Sequence, residues 1–177
     1  MNVIQSAAIF AEEAHKGQTR RYTGDPYIVH PMRVAGMLTM HPDANEDIIA
    51  AAWLHDVVED TDVTIEQILE RFGYRVADLV QSVTKPDTPE YNALPRHERK
   101  RIINQRLEHA PRGAKMIKLA DRIDNLRGFQ NPNATRDFVK LYIRESYDLS
   151  RVLMDADAWL YSQLFKLMMD MKEEYDA

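Results

Sequence analysis

The sequence predicts an all-α protein, folded as a single helical bundle domain spanning residues 1–177. Apolar residues recur at helical spacing along most of the chain, and no segment shows the strict alternation of a half-buried strand. Glycines number only 6 and no internal repeat appears. With 177 residues, 45% of them hydrophobic, the chain is long enough to bury a real core, and no linker divides it.

Each element follows from local signals. Val3, Ala7, Phe10, Ala11 and Ala14 fall at helical spacing and open the chain with an amphipathic helix, which stops near Lys16-Gly17, where glycine can turn left-handed. A polar loop follows, QTRRYTGDPYIVHP, with a Gly-Asp-Pro turn signal. A helix from about Met32 to Met40 comes next, then one from about Asn45 to Asp60 whose nearly all-apolar first half belongs at the centre of the bundle. Thr64-Ile65-Glu66-Gln67 is a capping box for a helix ending at Gly73. A further helix runs from about Tyr74 to Val83, and VTKPDTPEYNALP is too rich in proline to continue it. The remaining helices cover roughly residues 95–109, 113–127, 134–153 and 155–175.

Composition excludes several kinds of chemistry. There is no cysteine, which removes disulfides, thiolate metal sites and cysteine nucleophiles together. No apolar run approaches the roughly 18 residues that span a bilayer. The N-terminal MNVIQSAAIFAEEAHKGQ carries acids and no cleavable signal pattern, so a cytoplasmic protein without a membrane partner is expected. The net charge of −5 argues against a nucleic-acid partner. The charge is uneven, however: residues 96–127 hold ten of the 23 Lys and Arg against four acids. A basic middle in an acidic chain suits a small polyanionic ligand, although ordinary solvated helix faces account for the same charges.

His55, Asp56, Glu59 and Asp60 lie in the second half of the central helix. Taken as one continuous helix, it stacks His55 under Glu59 and Asp56 under Asp60, one turn apart on one broad face. Charged groups on an otherwise apolar helix are costly unless compensated, and a divalent cation is one compensation. A solvated helix end with a satisfied histidine is the other reading. His30, held between Val29 and Pro31, and Asp121, at the end of the apolar KMIKLAD, add two more polar groups where burial is expected. His30, His55, Asp56 and Asp121 together make a site of two nitrogens and two carboxylates. Such a set suits Mn²⁺, with Fe²⁺, Zn²⁺ and Mg²⁺ as alternatives.

The ordered strings AHKGQ, PYIVHP, AAWLHDVVEDT, FG, VTK and IKLADRIDNL, from about Ala7 to Leu126, resemble the HD-type hydrolase domain of RelA/SpoT homologues, in its stand-alone small alarmone hydrolase form. The resemblance implies an HD-type bundle and Mn²⁺-dependent removal of the 3′-pyrophosphate from ppGpp or pppGpp, giving GDP or GTP and pyrophosphate. It implies His30, His55, Asp56 and Asp121 as metal ligands and Glu59 and Asp60 as the acidic catalytic pair. It also implies Arg20, Arg21, Asn125 and Tyr142 as nucleotide contacts. Lys85 and Lys118 fall in matching strings but read equally as surface charges, and His15 reads as structural. His41, His97 and His109 show no ligand context. Asp124 departs from the pattern, because many members carry histidine or tyrosine there; a carboxylate at that point would repel a phosphate or hydrogen-bond the base.

Two other functions are weighed against this one. The first is a phosphohydrolase of another nucleotide, such as pppApp or the 2′-phosphate of NADPH. The second is an inactive alarmone-binding module, which would be expected to have lost a ligand or the acidic pair. The chain has no counterpart of a synthetase half. Its Met- and Tyr-bearing C-terminal helix offers a surface for a homo-oligomer, and core packing explains the same stripe.

Overall fold

A computed structural model describes residues 1–129 and 133–175. All regular elements among them are helices, as the hydrophobic periodicity predicts, and an isolated antiparallel bridge joins Thr19 to Pro26. Helix α1 (Val3–Ala14) starts at Asn2, whose side chain and that of Gln5 cap each other's backbone N–H groups. The loop after it reverses at Gly17 and Gly24, both at positive φ. It closes on itself through Arg20 N to Asp25 O at 2.8 Å and Tyr27 N to Gln18 O at 2.9 Å.

Helix α2 (Val29–Thr39) begins three residues earlier than its periodicity predicts. Pro31 falls in its first turn, where a missing N–H costs nothing, so His30 is helical and rigid.

The predicted helix over residues 45–60 is two pieces, α3 (Glu46–Leu54) and α4 (Val57–Asp60), interrupted at His55-Asp56. Nδ1 of His55 bonds the Ala52 carbonyl at 2.8 Å, taking up a main-chain acceptor just where the turn changes. The stacking of His55 under Glu59 on one continuous helix is therefore incorrect. Asp60 N still bonds Asp56 O at 2.9 Å, so one turn does separate those two carboxylates.

Helix α5 (Ile65–Phe72) has the predicted Thr64–Gln67 box and ends at Gly73, with φ of 83°. Helix α6 is Tyr74–Val83, and a short α7 (Pro89–Ala93) forms inside the proline-rich stretch, with proline in its first turn. Then follow α8 (Arg96–Glu108), α9 (Arg112–Gly128), α10 (Arg136–Leu153) and α11 (Ala158–Tyr175).

Helices α3 and α9 cross the middle. α3 buries Ile49, Ala50, Ala51, Ala52 and Leu54 against α1, α2 and α6, its run of alanines allowing close approach. α9 packs on α2, α3, α6, α10 and α11 and is buried nearly all round, Asp121, Arg122 and Asp124 included. α8 is the opposite case, burying only Leu107, with Arg96 and Lys100 turned to Glu145 of α10 and Arg106 to the carbonyls of Gln81 and Thr84 at the end of α6. Among the described residues no helix is long and apolar enough to cross a membrane.

Candidate metal centre and its cavity

Three elements converge on one point. His30 comes from the first turn of α2, His55 and Asp56 from the break between α3 and α4, and Asp121 from the middle of α9. His30 Nε2 lies 3.2 Å from His55 Nε2, 3.4 Å from Asp56 Oδ2 and 3.2 Å from Asp121 Oδ1. His55 Nε2 lies 3.2 Å from Asp56 Oδ2 and 3.9 Å from Asp121 Oδ1. Donors around a cation bound at about 2.0–2.2 Å stand roughly 3 Å apart, so the spacing is that of a coordination shell. The group His30, His55 and Asp56 can hold a metal ion, with ligand atoms all within 4.8 Å, and Asp121 reaches in over both histidines.

The outer contacts test the fit. His55 Nδ1 must donate to the Ala52 carbonyl, which only accepts, and His30 Nδ1 lies 2.7 Å from the carboxylate of Asp124. In the neutral rings both Nε2 atoms then carry lone pairs and face each other, an arrangement that a cation satisfies and a hydrogen bond between them does not. The four donors, nitrogen and oxygen without sulfur, suit a divalent ion.

Without a cation the same crowd of acids holds a proton. Burial opposes charge on His30, but hydrogen bonds to Asp121, Asp124 and Asp56 outweigh it and push its pKa up to about 11. Burial likewise opposes ionisation of Asp56 and Asp121. The histidines nonetheless hold Asp56 well below the usual carboxylate range, and Lys118, with His30, does the same for Asp121. Of these three groups, only His30 then has a proton to lose near neutrality. Metal uptake at pH 7 should release about one proton, and affinity should rise roughly tenfold per pH unit up to about pH 11. Calorimetry in buffers of different ionisation heat counts that proton; a count near zero would mean His30 is already neutral.

The two acids beyond these four residues are anchored differently. Glu59 meets Lys85 twice, Oε2 to Nζ at 3.0 Å and Oε1 to the backbone N at 2.5 Å. Asp60 Oδ2 lies 2.8 Å from the Tyr27 hydroxyl, which also lies 2.7 Å from Asp56 Oδ2. One phenolic proton faces two carboxylates. Burial, then the charges of Asp56 and Asp60, hold the Tyr27 hydroxyl well above its usual range, so it stays protonated. Gln18, held by His15 at 2.8 Å, donates to the Asp60 carbonyl at 2.6 Å, which gives His15 the structural role expected of it.

Tyr27, Asp56, Glu59, Asp60 and Asp121 line a cavity of about 940 Å³, whose wall also includes Arg96, Arg99, Lys100 and Arg101 of α8 and Lys118 and Arg122 of α9. Lys118 Nζ is 2.8 Å from Asp121 Oδ2 and largely buried, so it belongs to the site. Burial, with Arg122 nearby, pushes Lys100 down to about 8. The basic middle of the chain is thus a cavity wall in good part.

Of the residues expected to touch a nucleotide, Arg20, Asn125 and Tyr142 line this cavity. Arg20 donates to Asn125 Oδ1 at 2.8 Å, and Asn125 Nδ2 to Asp121 Oδ1 at 2.5 Å. Tyr142 stacks on the Arg122 guanidinium at 4.3 Å while its ring packs against Phe129. Arg21 is not brought in: it is exposed, with its guanidinium 5.4 Å from the Tyr22 ring.

Sequence reasoning missed Tyr27, whose proximity to Asp60 crosses 33 positions, and left Lys118 undecided. Asp124 neither repels a phosphate nor meets a base, because it is buried against His30. His41 does have acidic neighbours, Asp157 at 3.0 Å and Asp43, but Arg112 lies 2.8 Å from Asp43 and 3.4 Å from Asp157 and supplies the positive charge there.

Residues 7–145 match the HD-domain family. The chain belongs to that family. A guanosine-3′,5′-bis(diphosphate) 3′-pyrophosphohydrolase named MESH1 from Xenopus tropicalis is 35% identical over 173 residues, covering 95% of this HD-domain chain and 94% of the frog protein. An enzyme with the same activity name from Aquifex aeolicus is 46% identical over 124 residues, 70% of this chain but only 17% of that longer protein. A solved structure of a metazoan SpoT orthologue, described as hydrolysing ppGpp, superposes with a TM-score of 0.86 at 30% identity. It covers 97% of this chain and 96% of its own. The likeness in fold runs over nearly the whole chain, beyond the part that matches the HD-domain family.

Proposed function

We propose that this HD-domain chain is a metal-dependent pyrophosphohydrolase that removes the 3′-pyrophosphate of ppGpp or pppGpp, releasing GDP or GTP and pyrophosphate. The observation that carries the reading is the convergence of two buried histidines with two aspartates that line a cation-walled cavity, in a chain matching MESH1 along nearly its full length. His30, His55, Asp56 and Asp121 hold the cation, with Mn²⁺ favoured by the nitrogen and oxygen donors. A bound divalent ion supplies Lewis acidity to the phosphoryl group and makes water nucleophilic near neutral pH.

The chain's own side chains do the rest. Asp60 and Glu59, within a turn of Asp56, orient the attacking water and accept its proton, while Lys85 and Tyr27 keep both carboxylates in place. Lys118, Lys100 and Arg122 offset the charge of the pyrophosphate, and Arg20 lies where its planar guanidinium can stack on the base. The setting is cytoplasmic, the partner a small nucleotide, with neither nucleic acid nor membrane required. The exposed Trp159, Phe165 and Met169 of α11 offer the contact for self-association.

A substrate panel with Mn²⁺ tests the reading: ppGpp, pppGpp, pppApp, NADPH and nucleoside monophosphates, with pyrophosphate and orthophosphate measured separately. Pyrophosphate from the guanosine substrates is expected. Orthophosphate from NADPH as the main reaction, or tight ppGpp binding without product over hours, would replace this proposal with another nucleotide or with a binding module.

A further inference from the structure

We propose that Asp124 is a positioning residue of the metal centre: its carboxylate holds the Nδ1–H of His30 and thereby presents the Nε2 lone pair to the cation. The inference rests on the metal-site reading above and adds to it a residue that the expected ligand set does not contain.

The geometry is direct. Asp124 Oδ2 lies 2.7 Å from His30 Nδ1, with the two side chains 3% and 1% exposed. Asp124 follows Asp121 by three residues on α9, so one helix face delivers both a ligand and the brace of a second ligand. Arg33, one turn after His30 on α2, is 4.0 Å from the other Asp124 oxygen, too far for a good hydrogen bond. His30 is accordingly the principal compensation for a carboxylate buried in the core. A buried charge kept for packing alone is a poor bargain, since an apolar side chain fills such space at less cost.

The two histidines differ in a way that gives Asp124 its effect. His55 Nδ1 is braced by the neutral carbonyl of Ala52, whereas His30 Nδ1 is braced by an anion. A carboxylate partner fixes the ring's tautomer and orientation and makes the far nitrogen a stronger donor. His30 is then the stronger of the two nitrogen ligands.

The test measures Mn²⁺ affinity by competition with a fluorescent chelator in wild type, Asp124→Asn and Asp124→Glu, each checked for folding by circular dichroism. Asp124→Asn should bind Mn²⁺ about 10–100-fold more weakly, and Asp124→Glu should recover part of that loss. A second measurement needs no variant: ¹⁵N spectra of the wild-type zinc-loaded protein should show His30 protonated at Nδ1. Folded Asp124→Asn with wild-type affinity would overturn the inference while leaving the metal centre standing, whereas His30 carrying its proton on Nε2 in the loaded protein would remove His30 from the ligand set together with its brace. A wild-type protein that takes up neither ion would overturn both.

Discussion

Asp121→Ala should strip the protein of its metal and of its turnover together. Asp121 is the residue on which most of the site depends. Oδ1 stands 3.2 Å from His30 Nε2 and 3.9 Å from His55 Nε2, while Oδ2 pairs with Lys118 at 2.8 Å. It also accepts from Asn125, which in turn holds Arg20. Removing the carboxylate takes a ligand from the cation, strands a largely buried ammonium and frees the arginine set against the base. Turnover should fall at least as far as the roughly 10²–10³-fold lost when one electrostatic contact to a transition state is deleted. Elemental analysis after dialysis should find the variant empty where the wild type retains about one ion. Asp121→Asn, which keeps the shape, separates loss of the ligand from loss of the fold. Wild-type metal content in a folded Asp121→Asn would remove Asp121 from the ligand set.

How much of this was legible in the sequence depends on whether a feature is local. The Thr64–Gln67 box and the stop at Gly73 involve neighbours only, and the structure has both where the residues demand them. The break at His55-Asp56 was hidden, because AAWLHDVVED keeps its helical periodicity straight through it. What ends the helix is a side chain turned back onto the Ala52 carbonyl, and residue spacing does not encode that choice. The four residues of the candidate metal centre stood out because polar groups interrupted apolar runs. Tyr27 did not, and Lys118 and Asp124 were noticed without their places in the site, since each becomes informative only through a partner on another element or a burial that helical spacing leaves open.

The two adjacent arginines show the same limit in miniature. Thr19 bridges Pro26 and Arg20 N bonds Asp25 O, so Arg20 closes the paired stretch, while Arg21 starts the turn in which Gly24 N bonds Arg20 O at 2.9 Å. Arg20 turns to the cavity and Arg21 to solvent. Resemblance assigned both, and only the pairing of the loop distinguishes them.

Asp60→Asn and Glu59→Gln should each keep the metal and lose turnover by about 10²–10⁴-fold, the range for removing a positioned acid or base. Neither side chain is among the atoms converging on His30, so elemental analysis should find wild-type occupancy in both variants. Their consequences for the surroundings differ. Glu59→Gln weakens the contact to Lys85, whose charge burial disfavours and Glu59 restores, so the lysine's pKa should drop towards its ordinary value. Asp60→Asn leaves the Tyr27 proton to Asp56 alone, replacing a phenol shared between two anions with a single well-defined hydrogen bond. If the proton of the attacking water passes to Asp60, the slow variant should lose the acid limb of the wild-type pH–rate profile, because an amide cannot titrate. If Glu59 takes it, the limb should vanish in Glu59→Gln and survive in Asp60→Asn. Loss of metal from Asp60→Asn would instead make Asp60 a ligand, with Tyr27 as the brace between two coordinating carboxylates.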